Sequence, residues 1–448
     1  MVMKMKLYFN TTQYIRGRAE HISQEFASVT DRERENGLLN LYPDIEYQKF
    51  DGFGGALTES AGYVYEMMDE EDREKVLHTY FGKGGIAYNR IRIPVDSCDF
   101  SLNQLQAVTE EDEEFKTFSL ERWKRYIYPF WKDIRKIARE VEVMATPWSP
   151  PGFMKENGKR VQGGGLKKEY RAAYAEYLCR YIKELAEIGI PVKRLSVQNE
   201  PKAVQTWDSC IMDAEEEKLF LRDYLYPAMQ KHGLTDIEIF IWDHNKERLY
   251  ERACATIDET TGHMIKGIAF HWYSGDHFEQ LRMVRDKYPE LQLILSEACI
   301  EYSKYGAEDE LNNVKKYAHE IIGNLNAGMN AFYDWNMLLD ENGGPNHAGN
   351  FCDAPFLYHA GEKRLEERMT LSAIAHFSKY IKAGAVRIGH SCYTDKIEAA
   401  ALKNPDGSVV VVMLNPTQKD LPVTFRVKDE CISTTVKACS ISTGVITQ

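Results

Sequence analysis

The chain carries no Cys-x-x-Cys pair. Its nine cysteines are scattered and odd in number, so neither a disulfide scaffold nor a zinc ribbon is expected. Reduced, mostly buried thiols are expected instead. No run approaches the roughly 18 apolar residues of a membrane span; the longest lies at Val409–Leu414. The segment from Met1 to Ile15 has no apolar stretch of about 7–15 residues, so no secretory leader is read and a soluble, cytoplasmic protein is expected. An excess of basic charge is missing as well. Lys and Arg number 56 against 68 Asp and Glu, for a net charge of −12. That balance argues against nucleic acid or an anionic membrane surface as a partner. No His-x-His or His-Glu-x-x-His occurs, so the common hydrolytic metal clusters lack their ligands, and neither metal nor cofactor is expected. Gly52-Phe-Gly54-Gly55 suggests a phosphate cradle, but the third glycine of G-x-G-x-x-G falls on Leu57.

What is present is an alternating middle between two strand-like ends. Of the 448 residues, 44% are hydrophobic, enough for a large core. Residues 1–45 hold the short runs Lys6–Phe9, Ile22–Val29 and Leu38–Leu41, without helical period. Residues 382–448 behave likewise. There Glu398–Leu402 and Ser408–Asn415 flank Asn404-Pro-Asp-Gly407, a turn between apolar runs and hence a hairpin. Neither end is long enough to stand alone, so 1–45 and 382–448 are expected to pair into one side β-sandwich domain. Within 46–381, eight segments read as strands: Gln48–Ala56, Ala87–Val95, Val141–Trp148, Arg194–Asn199, Ile237–Trp242, Ile265–Trp272, Leu291–Ser296 and Ala331–Trp335. Helical patterns separate most of them. The clearest is Lys167–Ile188, where Tyr170, Tyr174, Tyr177, Leu178, Tyr181, Leu185 and Ile188 recur at three- and four-residue steps. The alternation predicts an α/β fold, a (β/α)8 TIM barrel with the sandwich at its side. A doubly wound open sheet is the alternative.

In such a barrel the chemistry lies at the C-terminal ends of the strands. Two carboxylates stand there directly after apolar strands: Glu200 after strand four, in Gln198-Asn-Glu-Pro201, and Glu297 after strand seven, in Ser296-Glu-Ala298. Strands four and seven lie across the mouth from each other. Paired carboxylates flanking a glycosidic bond are what sugar transfer requires, one protonated to serve the leaving oxygen and one ionised to attack or to activate water. A lone Glu in this position would equally suit a helix N-terminus. Trp148 and Trp335 are suited to the apolar face of a sugar ring, or to packing beneath a loop. Asp99 and Asn350 are suited to sugar hydroxyls, or to turns. His244 and His271 read as hydrogen-bonded rim or core groups, and Cys299 as packing.

These motifs resemble glycoside hydrolase family 30, most closely its glucosylceramidase (acid β-glucosidase) branch. The resemblance runs through nearly the whole chain. It is carried in order by Asp51-Gly-Phe-Gly-Gly55, Arg90-Ile-Arg92-Ile-Pro94, Thr146-Pro-Trp148, Gln198-Asn-Glu200-Pro, His271-Trp-Tyr273, Ser296-Glu297-Ala-Cys299, Asp334-Trp335-Asn336 and Asn350-Phe-Cys-Asp353. The resemblance implies a retaining β-glycosidase hydrolysing β-linked glucosides, with Glu297 as nucleophile and Glu200 as acid/base. It implies that Asn199 meets the sugar 2-hydroxyl and that Asp99, Trp148, Trp335 and Asn350 line the sugar site. Arg92, His271 and Tyr273 would support the nucleophile. β-1,6-Glucans and β-xylosides are the alternative substrates, and a non-catalytic carbohydrate-binding protein is the alternative of another class. The chain departs from that branch at His347 and over Lys202–Asp213. Glu200 is expected to keep its proton near neutral pH through burial and the charge of Glu297. Oligomeric state is not legible.

Overall fold

The computed structural model describes residues 4–15, 17–109, 111–305 and 309–447. Eight parallel strands close into a barrel: Gly52–Ala56, Arg90–Val95, Glu142–Pro147, Val192–Ser196, Glu238–Asn245, Ile265–His271, Gln292–Glu297 and Ala331–Asp334. The last strand pairs with the first, from Ala331 opposite Gly52 to Asp334 opposite Gly55, so the sheet has no open edge. That closure excludes the doubly wound alternative. One expected boundary shifts. The run Gln48–Ala56 breaks at Asp51, with Leu38–Phe50 entering the side sheet and only Gly52–Ala56 the barrel. Gly54 explains the glycines here. A side-chain carbon on it would stand 2.0 Å from the Arg90 carbonyl oxygen of the neighbouring strand. The run is a close strand contact and not a phosphate cradle.

Barrel strands are covered on both faces, which is why they read as near-continuous apolar runs. Met144, Phe240, Ala269, Ile294, Ala331 and Tyr333 cluster together from five of these strands. Arg194 binds Glu142 at 2.6 Å and Glu238 at 3.0 Å, residues from the adjoining strands on either side. The helix Arg171–Glu187 buries Tyr174, Tyr177, Leu178, Tyr181 and Leu185, the stripe its spacing predicts. Each such side chain is worth about 1.5–3 kcal/mol of transfer free energy. Among the described residues no helix is long and apolar enough to cross a membrane.

The side sheet has ten strands drawn from both ends of the chain. Lys6–Ile15 lies against Ser440–Thr447, with Lys6 opposite Thr447, so the first and last long strands are neighbours. Asn404-Pro-Asp-Gly407 turns Glu398–Lys403 into Val409–Asn415, and Gly407 takes the left-handed φ of 84° that this turn demands. Leu7, Phe9, Leu41, Val411, Met413 and Phe425 form the sheet's own core. Val410, Val412 and Ile441 join the barrel's core instead. The helix Met369–Ser378 stitches the two together, with His376 Nδ1 2.8 Å from Thr443 Oγ1 and Nε2 2.8 Å from Thr12 Oγ1. A small sheet of Leu338–Asp340, Phe356–His359 and Arg364–Glu367 follows the last barrel strand. It went unread in the sequence because strands this short carry no periodic signal.

Candidate active site

Arg92 is the hub of the barrel mouth. It lies within the second strand, fully buried, and one side chain holds three others. Nη1 donates to Glu297 Oε2 at 2.6 Å, and Nη2 donates to Asn199 Oδ1 at 2.8 Å and Asp243 Oδ2 at 3.0 Å. Its guanidinium lies 4.7 Å from the Trp148 ring centroid and 5.4 Å from that of Trp335. Burial works against its charge, but Asp243 and Glu297 outweigh that and raise its pKa. Those pairings anchor residues from the ends of strands four, five and seven on one cation.

Glu297 is fixed from a second side by Tyr273, whose hydroxyl donates to Oε1 at 3.0 Å. His271 stands between the two carboxylates, with Nδ1 3.2 Å from Glu200 Oε1 and 4.0 Å from Glu297 Oε1. Its Nε2 lies 3.0 Å from Asp243 Oδ1. Burial lowers the His271 pKa, but Glu297, Asp243 and Glu200 overcome this and raise it to about 9. Glu200 responds in the opposite sense. Burial alone would raise its pKa, yet the contacts with His244 and His271 pull it well below the usual carboxylate range. The expected raised pKa of Glu200 is therefore not what this arrangement favours: beside two imidazoles its carboxylate form is favoured, and the raised pKa lies on His271. His271 is fully buried, with one ring nitrogen facing Glu200 and the other Asp243.

The backbone is unusual at the same level of the barrel. Glu200 has φ 43°, Asp243 φ 47° and Asn336 φ 59°, all at or just past strand ends. Such conformations concentrate where a side chain must be aimed against local preference.

A cavity of 140 Å³ opens above this network, lined by Asp99, Trp148, Asn199, Glu200, Tyr273, Glu297, Trp335 and Asn350 among others. Trp148 and Trp335 stack with centroids 5.3 Å apart and an interplanar angle of 20°. Asn346 Nδ2 donates to the Asn350 carbonyl at 2.7 Å, and Asn350 Nδ2 donates to Asp99 Oδ2 at 3.3 Å. Burial and the charges of Glu297 and Glu200 push the Asp99 pKa far up. Asp99 Oδ1 and Trp335 Nε1 are buried without any hydrogen-bond partner. Orphaned polar atoms are costly in the interior, and beside this cavity they leave one acceptor and one donor suited to a hydroxylated ligand. A larger cleft of 730 Å³ lies between side sheet and barrel helices, but among the described residues Glu367 is the one carboxylate lining it.

Sequence reading missed several residues here. Asp243, Gln205, Trp207, Asn245 and Glu301 join the site. Asp243 follows an apolar strand and was visible as a strand-end acid. Asn245 ends the fifth strand, and Gln205, Trp207 and Glu301 sit on loops, where no periodicity points inward. Cys299, read as packing, has its thiol 3.4 Å from the Tyr273 hydroxyl and also lines the cavity. Glu200, His244 and His271 bring one potential metal-ligand atom each within 4.8 Å of one another. They come from three separate strand ends, so no linear motif announces them.

A sugar-sized pocket lined by two carboxylates is suited to the cleavage of glycosidic bonds, the chemistry of an O-glycosyl hydrolase. Comparison with known proteins narrows the class. Residues 50–381 match the glycosyl hydrolase family 30 TIM-barrel domain and residues 384–444 the family 30 beta sandwich domain. The chain belongs to glycoside hydrolase family 30. It is 30% identical to the lysosomal acid glucosylceramidase of Mus musculus, over 88% of this chain and 80% of that one. It is 25% identical to the endo-1,6-beta-D-glucanase of Neurospora crassa, over 86% and 82%. Among solved structures, SrfJ from Salmonella typhimurium superposes with a TM-score of 0.94 at 35% identity, covering 99% of both chains. The endo-beta1,6-glucanase BT3312 superposes with a TM-score of 0.86 at 27% identity, covering 98% of this chain and 99% of that one.

Proposed function

We propose that the protein is a retaining β-glucosidase of the glucosylceramidase type. Glu297 attacks the anomeric carbon, and Glu200 protonates the departing oxygen. Glu200 then takes a proton from water, which releases the sugar with its configuration retained. The observation carrying this reading is the pairing of both carboxylates on one imidazole nitrogen, at 3.2 and 4.0 Å. Such closeness admits the roughly 5–5.5 Å carboxyl separation of retaining enzymes and leaves little of the 6.5–9.5 Å range of inverting ones. Arg92 and Tyr273 keep Glu297 oriented for attack. One proton is shared across the Glu200–His271 contact. Glu200 takes it up when a glycosidic oxygen arrives, and His271 takes it back after water is activated.

Likeness to the glucosylceramidases supports glucose in the pocket. Likeness to the endo-1,6-glucanases supports a second reading, in which the glucoside is β-1,6-linked to another sugar. All nine cysteines are free thiols, which supports a reducing, cytoplasmic setting. The test is a panel of aryl β-glucoside, β-xyloside and β-galactoside, run beside glucosylceramide and a β-1,6-linked glucose disaccharide. Proton NMR of the first product identifies its anomer. A β-glucoside preference with β-glucose released first is expected. An α-anomer released first would refute retention.

A further inference from the structure

Two residues that line the cavity, Glu301 and Trp207, have no task so far. Glu301, just beyond the seventh strand, lines the cavity. Its backbone is bridged to Cys352, and the next residue, Tyr302, donates its N–H to the Phe351 carbonyl at 2.9 Å. Glu301 is thereby pinned to the loop that carries Asn350. Glu200, Glu297 and Asp99 are all hydrogen-bonded within the chain. Among the described residues the Glu301 carboxylate has no such partner. Burial raises its pKa, opposed by Lys304, and the charges of Glu200 and Glu297 add to the rise. A carboxylate placed where its charge is costly, and bonded to none of the described residues, has its acceptor oxygens available to a ligand.

Trp207 faces the same cavity from the loop after Glu200. That loop is rigidly held. Asp208 accepts from Arg160 Nε at 2.7 Å and Ser97 Oγ at 2.9 Å, both buried. Ser209 Oγ accepts from Gly163 N at 3.0 Å. The Trp207 ring packs against the cluster containing Trp148 and Trp335 and stays partly exposed. The cavity itself, at 140 Å³, is well below the 300–1,000 Å³ typical of drug-sized ligands. It has room for a single sugar ring, so whatever is joined to that sugar lies over the mouth, between Trp207 and Glu301.

We propose that Trp207 and Glu301 form a leaving-group subsite for a second sugar, Trp207 stacking on its C–H face and Glu301 accepting from its hydroxyls. The enzyme then removes single terminal glucosyl residues from β-linked oligosaccharides in preference to glycolipids. The acyl chains of a glycolipid give a half-buried carboxylate nothing to bond and its backbone brings few donors, whereas a sugar ring brings several hydroxyls to the same place. This rests on the β-glucosidase reading above and, of the two aglycones named there, takes the second sugar over the ceramide.

The test compares two substrates that differ only on this side. β-Glucosyl fluoride fills the sugar pocket and leaves the mouth empty; a β-1,6-linked glucose disaccharide fills both. kcat/KM is measured on each for the wild type, Glu301→Gln and Trp207→Ala. In both variants the disaccharide value is expected to fall at least tenfold more than the fluoride value. Equal falls, or no fall, overturn the subsite. So does a wild type that cleaves glucosylceramide faster than the disaccharide. A wild type inert toward the fluoride refutes the β-glucosidase reading itself and the subsite with it, so the two failures are told apart by the fluoride alone.

Discussion

His271 Nδ1 lies 3.2 Å from Glu200 Oε1, and Nε2 of the same ring lies 3.0 Å from Asp243 Oδ1. An imidazole held between two carboxylates keeps its proton, up to about pH 9 here. The pair is thus a proton reservoir for the leaving group, empty above that pH. The alkaline limb of kcat/KM for an aryl β-glucoside is expected near pH 9. In His271→Asn it should move down by a unit or more, with at least a tenfold loss at pH 7. A limb that stays in place in the variant would show that the proton comes from elsewhere.

Glu297→Ala removes the atom that attacks. Turnover should fall by about three or more orders of magnitude. Added azide fits the vacated space and should restore part of it, giving a glycosyl azide of α configuration. Retained activity without azide means another residue is the nucleophile.

Glu200→Ala should discriminate between leaving groups. A dinitrophenyl glucoside departs without a proton, so its first step should be nearly spared, while alkyl glucosides lose about 10²–10⁴-fold. Equal losses on good and poor leaving groups would remove Glu200 from the acid role.

Arg92 binds two carboxylates in full burial. Arg92→Met leaves Glu297 and Asp243 buried without their guanidinium, with only Tyr273 and His271 to offset their charge, which should cost about 3–5 kcal/mol of stability. Urea unfolding measures it. A loss under about 1 kcal/mol, on the scale of an exposed ion pair, would mean that the pairing is not what holds these carboxylates.

The seam between side sheet and barrel titrates with the opposite sign. Burial, with His21 adding through its charge, pushes His376 down to about 3. Its contribution to stability is therefore complete above the unfolded value near 6.5 and is lost as pH falls toward 3. Between pH 6.5 and 5 that loss is about 2 kcal/mol. His271 runs the other way, contributing fully below 6.5 and losing that contribution as pH rises toward 9. Thermal unfolding of wild type and His376→Gln from pH 5 to 8 separates them. The variant's Tm should change less on the acid side; parallel curves would contradict the assignment.

Much of this was legible in the residues. Glu200 and Glu297 follow apolar strands, and a strand end in a barrel is a known place. The tyrosine stripe of Arg171–Glu187 and the turn at Asn404-Pro-Asp-Gly407 are local signals, set by side-chain period and φ preference. Glu301, Trp207 and Gln205 were not legible, because loop residues acquire a direction only when other loops pin them. Asp208 and Cys352, distant in the chain, do that pinning here.

The amino-acid order alone thus determined the barrel, the sandwich assembled from both ends, and the two acids. These follow from periodicities and dipeptides whose energetics are local. Tertiary structure decided where the proton rests. Glu200 read by itself calls for a raised pKa; placed beside His271, which Asp243 and Glu297 hold as a cation, it is lowered instead. Charge interactions fall off over a few ångströms, and only the closed barrel brings strands two, four, five, six and seven within that range.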